Sequence, residues 1–145
     1  MPERETVERA HEDAREGKSP STQAGEFVRE EMHHVREGKH GARNTKQAIA
    51  IGLSKARRAG VKLGAPKGSS ELRKKAAQDT KAGKHPGRKR SSTRSRATSK
   101  ALKREPRSSA SKGSLSRQAK TAAARRGKRA RSAAAIKAAR TRKAA

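Results

Sequence analysis

The sequence predicts a mostly α-helical protein, a small helical hairpin with a largely disordered or conditionally helical basic tail. Two observations carry this reading. Of the 15 large apolar residues in the chain, nine lie between Phe27 and Leu63, and around them apolar positions recur every three or four residues, the repeat of a helix with one buried face. Beyond residue 90 the chain is mostly Ala, Ser, Thr, Lys and Arg. Such a stretch cannot bury enough apolar surface to offset the entropy of ordering it.

Four segments follow in order. Residues 1–18 read as a charged helix: Pro2 suits a first helical position, Val7, Ala10 and Ala14 share a face, and Gly17 stops the run. The stripe is thin, so this helix needs something to pack on. Residues 19–64 are the hairpin. Ser19 followed by Pro20 is a helix start signal, and Ala24, Phe27, Val28, Met32 and Val35 mark one face, with Glu26, Arg29, Glu30, His33 and Glu37 opposite. Gly38 and Gly41 open a loop, and Asn44 or Thr45 caps the second helix. There Ala48, Ile49, Gly52, Leu53 and Ala56 form the stripe, with Gly60 and Val61 placed as a Schellman ending. The predicted core is Phe27, Val28, Met32, Val35, Ile49, Leu53 and Ala56. The first hairpin helix is acidic and the second basic, which favours antiparallel docking. A hairpin of about 45 residues is near the lower size limit for independent folding, so it is expected to borrow stability from the N-terminal helix, a homodimer or protein partner, or a ligand.

Residues 65–90 read as a linker punctuated by Pro66, Gly68, Gly83, Pro86 and Gly87, with a short helix from Ser70 to about Lys81. Residues 91–145 are a low-complexity tail. Ser95, Ser116 and Ser132 are each placed to cap a short helix, with Pro106, Gly113 and Gly127 between the helices. Alanine, lysine and arginine are strong helix formers, but close like charges oppose a stable helix in free solution. The tail is therefore expected to be disordered alone and helical on a polyanion.

Charge is segregated along the chain. The formal net charge is +27; residues 1–40 hold 10 acidic and 7 basic side chains, and residues 41–145 hold 33 basic and 3 acidic. Such an imbalance calls for a polyanion. Nucleic acid is the expected partner, with DNA favoured and RNA the runner-up. Lys100, Lys103, Arg104, Arg125, Arg126, Lys128, Arg129, Arg131 and Arg140 are the predicted phosphate contacts. Phe27 is the only Phe, Tyr or Trp residue, so aromatic stacking platforms for single strands are lacking. Pro86-Gly87-Arg88-Lys89-Arg90 has the look of a minor-groove hook.

Other chemistries are excluded or set aside. The chain has no cysteine, hence no disulfide and no thiolate chemistry. The longest apolar run, Ala48–Leu53, is far short of the ~20 residues of a membrane span. The N-terminal residues lack the apolar stretch of a secretory signal, and a cytoplasmic, nucleoid location is expected. No catalytic constellation appears, so the protein is expected to be non-enzymatic, with no small-molecule substrate and no cofactor. His33, His34, Glu37 and His40 have spacing usable by a metal, but are read as exposed side chains at a helix end, and no metal site is predicted. A helix-turn-helix reading of the hairpin is disfavoured by the apolar N-terminal half of its second helix.

The stretch Gly25-Glu26-Phe27-Val28-Arg29-Glu30-Glu31 through Val35-Arg36-Glu37-Gly38-Lys39-His40-Gly41, then Thr45-Lys46-Gln47-Ala48-Ile49-Ala50-Ile51-Gly52-Leu53-Ser54-Lys55-Ala56-Arg57-Arg58-Ala59-Gly60, resembles a family of small basic proteobacterial proteins with a domain of unknown function. The tail, with Ser99-Lys100-Ala101-Leu102-Lys103-Arg104-Glu105 and Leu115-Ser116-Arg117-Gln118-Ala119-Lys120, is similar to tails in the same family and to linker-histone-like tails. The resemblance implies a bacterial origin and no site residues. The function expected from the residues is non-specific binding of duplex DNA through the phosphate backbone. Alternatives are an RNA- or ribosome-associated protein and an adaptor whose 19–64 hairpin holds a protein partner.

Overall fold

The structure, a computed structural model, describes residues 1–85 and 91–144. The basic segment from Pro86 to Arg90 lies outside the described residues. Every regular element among the described residues is helical: α1 (Arg4–Arg15), α2 (Pro20–Arg36), α3 (Thr45–Arg58), α4 (Ser70–Lys84), α5 (Ser92–Lys103), a 3₁₀ turn (Ser108–Ala110) and α6 (Lys112–Ala144). They fall into two compact units, Met1–Ala110 and the segment from Ser111 onward.

Local chemistry explains where each helix of the first unit starts and stops. The Ser19 side chain accepts the Thr22 N–H to open α2. At α3, Asn44 Oδ1 accepts from the Gln47 N–H at 2.9 Å. Each capping oxygen satisfies a donor that the helix itself leaves orphaned. α2 and α3 close alike. At the end of α2 the Lys39 N–H bonds the His34 carbonyl and the Gly38 N–H that of Val35; at the end of α3 Val61 bonds Ala56 and Gly60 bonds Arg57. These paired bonds are Schellman motifs, and they require the left-handed backbone that Gly38 (φ 79°) and Gly60 (φ 97°) adopt. α1 begins at Arg4, after Glu3 at the cap position, so Pro2 stands before the helix instead of in its first turn.

α2 and α3 pack as a hairpin. At their crossing Gly52 of α3 lies so close to α2 that a Cβ there would stand 2.7 Å from Val28 Cα. Ala10, Ala24, Phe27, Ala56 and Val61 form the buried core, with Val7, Leu53, Ala59 and Leu63 packed against it. α1 thus supplies part of the core, through Ala10. It is also tied to α2 by Arg9, whose guanidinium meets Glu26 Oε2 at 2.7 Å; Glu26, with Glu5, raises the Arg9 pKa. α4 docks on α3 through the buried Asp79, which accepts from Ser54 Oγ at 2.7 Å and pairs with Arg58 at 2.7 Å. It runs past the predicted end at Lys81 to Lys84.

The chain then returns to the hairpin. The Gly41 N–H bonds the Leu102 carbonyl at 2.9 Å and the Ala42 N–H bonds that of Pro106 at 3.1 Å. Thr45 Oγ1 donates to the Ser109 carbonyl at 2.6 Å, and Arg36 Nε to the Ala110 carbonyl at 2.9 Å. Residues 102–110 thereby form a strap over the α2–α3 loop, although composition groups them with the tail.

Of the two states expected for the tail, largely disordered or conditionally helical, the structure has the helical one in α5 and α6. Ser91, whose side chain accepts the Arg94 N–H, caps α5. Ser111 Oγ accepts the Ser114 N–H at 3.2 Å at the start of α6. The predicted caps Ser95, Ser116 and Ser132 lie inside the helices, as does Gly113. Pro106 does separate α5 from the next turn, and Gly127 (φ 74°, ψ 164°) kinks α6. Alanine content favours the helix, while like charges three residues apart, such as Arg126 and Arg129 or Lys137 and Arg140, oppose it by a few tenths of a kcal/mol per pair. Among the basic residues of α6, only Arg125 and Arg129 stand four apart, and the kink lies between them.

Candidate nucleic-acid interface and buried polar cluster

All nine predicted phosphate contacts are exposed. Lys100 and Lys103 lie in α5 and Arg104 caps its C-terminal end. Arg125, Arg126, Lys128, Arg129, Arg131 and Arg140 belong to α6. α6 carries 12 basic residues and no acidic one. Five of the predicted contacts, Arg125, Arg126, Lys128, Arg129 and Arg131, flank the break at Gly127 within seven residues. No apolar stripe divides this helix, and every described residue from 124 onward is exposed, Ile136 included at 55 %.

The predicted hairpin core is placed as follows. Phe27, Met32, Val35 and Ala56 are buried; Val28, Ile49 and Leu53 are half-buried. Phe27 is fully enclosed, so the one aromatic of the chain faces the core.

The hairpin also holds a polar cluster that corrects the reading of a charged outer face. Glu30 was placed opposite the apolar stripe, yet its side chain is 2 % exposed, and that of Glu31 is 0 % exposed. Lys55 reaches in from α3, 3.2 Å from Glu30 Oε1 and 2.8 Å from Glu31 Oε2. Glu30 Oε2 accepts the backbone N–H of Glu3 at 3.1 Å, which ties α1 to the same cluster. The expectation of exposed histidines at the helix end is likewise corrected for His34, which is buried, and His40, which is half-buried; His33 and Glu37 are exposed. His34 Nε2 lies 2.9 Å from Glu3 Oε1, and Lys39 Nζ lies 3.1 Å from the same oxygen. Hydrogen bonding from His34, then from Lys39, holds the Glu3 carboxyl well below the ordinary carboxylate range, at about 2. Lys39 is raised in turn, chiefly by Glu3.

His40 approaches from the loop, with Nε2 3.2 Å from Glu31 Oε1. Despite the short approaches of Lys55 and His40, neither Glu31 oxygen has a partner in hydrogen-bonding geometry. The distances therefore describe proximity of charge, and the orphaned oxygens describe direction. One ligand atom each from Glu31, His34 and His40 lies within 4.8 Å of the others. The sequence held a signal for this. Glu31 stands four residues before Val35 and four after Phe27, so it falls on the apolar stripe where a hydrophobic residue would be expected.

Residues 15–67 match a family of unknown function, DUF6496. The matched segment contains α2, α3, the Schellman endings of both and four of the polar-cluster residues: Glu30, Glu31, His34 and Lys55. His40, in the loop, falls within it as well. α4, α5 and α6 lie beyond the matched segment. No curated protein and no solved structure matches the chain. No described helix is long and apolar enough to cross a membrane.

Proposed function

We propose that the protein binds nucleic acid with little sequence preference, duplex DNA foremost, through phosphate contacts of its basic helices. The observation that carries this reading is α6: 12 basic residues, no acidic one, and side chains exposed throughout its second half. A helix of 33 residues is about 50 Å long at ~1.5 Å per residue. Its cations are thus spaced about 4 Å apart along the axis, whereas duplex DNA carries one charge per ~1.7 Å. Neutralising phosphates releases condensed counterions, and that release supplies affinity without reading bases. Burial of Phe27 leaves no Phe, Tyr or Trp for stacking on single strands. On this reading a nucleoid location follows from the ligand.

The test is a salt series of binding to duplex DNA by the full chain and by a chain lacking residues 111–145. Engagement of about ten phosphates gives a log–log slope near −9 for the full chain. The shortened chain should fall below about a third of that slope. Unchanged association after the deletion would overturn the proposal, and equal retention of duplex RNA would widen the ligand to any paired backbone.

A further inference from the structure

We infer that Glu31, His34 and His40 form a binding site for a transition-metal dication of the zinc class, built between α2 and the loop that follows it. The argument starts from charge. Glu30 and Glu31 are two buried carboxylates, and Lys55 is the one ammonium between them. One negative charge is left over, and an uncompensated charge in the interior is costly. The imbalance is answered by a proton, on a carboxylate or an imidazole, or by a cation.

Hydrogen bonding bears on the choice. His40 Nδ1 lies 3.0 Å from the Gly41 carbonyl oxygen, which can only accept, so Nδ1 carries the proton and Nε2 faces Glu31. Nε2 stands 3.2 Å from Glu31 Oε1 but off the line of a hydrogen bond, so that neither atom is committed to the other. His34 repeats the pattern with its ring reversed. Its Nε2 lies against Glu3 Oε1 at 2.9 Å, while Nδ1 turns inward, 3.8 Å from Glu30 Oε1. The Glu3 oxygen accepts from a ring N–H, which places the proton on Nε2, and Nδ1, beyond hydrogen-bond distance of Glu30, is left without a partner. In both rings an acceptor fixes one nitrogen and the other faces the cluster without a hydrogen bond. This is the outer arrangement by which proteins orient metal-binding imidazoles.

Glu30 is already satisfied, by the Glu3 N–H and by Lys55. Glu31 is the carboxylate with buried, unpartnered oxygens, and it supplies the third ligand. Two imidazoles and one carboxylate suit zinc and its neighbours. The ligand atoms, now within 4.8 Å of one another, would draw together to the roughly 3.3 Å set by metal–ligand distances of ~2.0–2.1 Å in a tetrahedron. The fourth position is left to water. A polar groove of about 240 Å³ between α1 and α2, lined by Glu3, Glu30, His34 and Lys39 among others, lies against the His34 side of the cluster.

The test uses the full chain and the metal alone. Co²⁺ or Zn²⁺ is titrated calorimetrically, and the imidazole nitrogens are followed by long-range ¹H–¹⁵N spectra. The expected result is one saturable site, with shifts at Nδ1 of His34 and Nε2 of His40 and none at His11, His33 or His85. His40→Ala and Glu31→Gln should lower affinity at least a hundredfold, while His33→Ala leaves it unchanged. Glu3→Gln, which touches only the outer bond, should lower it about 10–100-fold. The inference is overturned if the unaltered chain shows no saturable site, if His33→Ala weakens binding as much as His40→Ala, or if both nitrogens of His40 stay protonated in saturating Zn²⁺. The nitrogen spectra of the unaltered chain decide the matter even where a variant folds poorly.

Discussion

Lys55 Nζ stands 2.8 Å from Glu31 Oε2 across the α2–α3 interface, with the two side chains 20 % and 0 % exposed. Removing the ammonium leaves Glu30 and Glu31 side by side in the interior. Lys55→Met should therefore destabilise the first unit by about 3–5 kcal/mol, the usual cost of stranding a buried charge. Glu31→Met removes the surplus carboxylate and keeps Lys55 on Glu30. It should be neutral or stabilising in the presence of a chelator. Denaturant melts of the two variants side by side check both signs.

Gly52 and Gly25 make a second comparison. Both sit inside helices, but a Cβ at Gly52 would press on Val28 Cα at 2.7 Å, whereas nothing lies within 4 Å of one at Gly25. Gly52→Ala should cost about 1–3 kcal/mol through overpacking of the helix crossing. Gly25→Ala should gain about 0.4–1 kcal/mol by restricting the unfolded chain. Thermal unfolding should move the midpoint down for the first and up for the second.

The strap over the hairpin loop rests on a buried hydroxyl. Thr45→Val keeps shape but removes the donor to the Ser109 carbonyl, now at 2.6 Å. Leaving that acceptor unsatisfied should cost about 1–3 kcal/mol. Hydrogen exchange at the Gly41 and Ala42 amides, which bond the strap, should accelerate more than exchange in the middle of α2.

For α6 the expected observable is helicity. A peptide of residues 111–145 should gain helical circular dichroism with added salt, which screens like charges, and again on saturation with duplex DNA. Gly127→Ala should raise helicity further in both conditions, because alanine disfavours the positive φ of the kink and favours the helix. A spectrum insensitive to salt and DNA would show that charge repulsion does not govern this segment.

Much of the hairpin could be read from side chains. Ser19 and Asn44 announce helix starts, Gly38 and Gly60 announce ends, and Phe27, Val35 and Ala56 fall on the faces that are buried. These signals are local, and each has its partner within a few residues. The buried cluster was legible only in part, since Glu31 falls on the apolar stripe but its neighbours are known only once Lys55 of α3 and His40 of the loop are placed beside it. The strap was hidden for another reason. Its bonds run to the carbonyls of Leu102, Pro106, Ser109 and Ala110, and a backbone acceptor leaves no mark in the amino-acid sequence. The helices α5 and α6 are half legible, because Ala, Lys and Arg favour the helix while like charges one turn apart oppose it, and the sequence alone does not weigh one against the other.

Gly127 divides α6 into two rods of comparable length. A straight rod of this size would have to meet a curved polyanion all at once, or let go of it all at once. With a joint in the middle, one half can hold while the other searches, so that the second attachment is effectively intramolecular. Release then proceeds by halves, and a competing strand can take over the freed half before the first departs. On the proposed reading of α6 as a duplex-binding helix, such a segment would pass hand over hand between neighbouring duplexes instead of waiting for full dissociation.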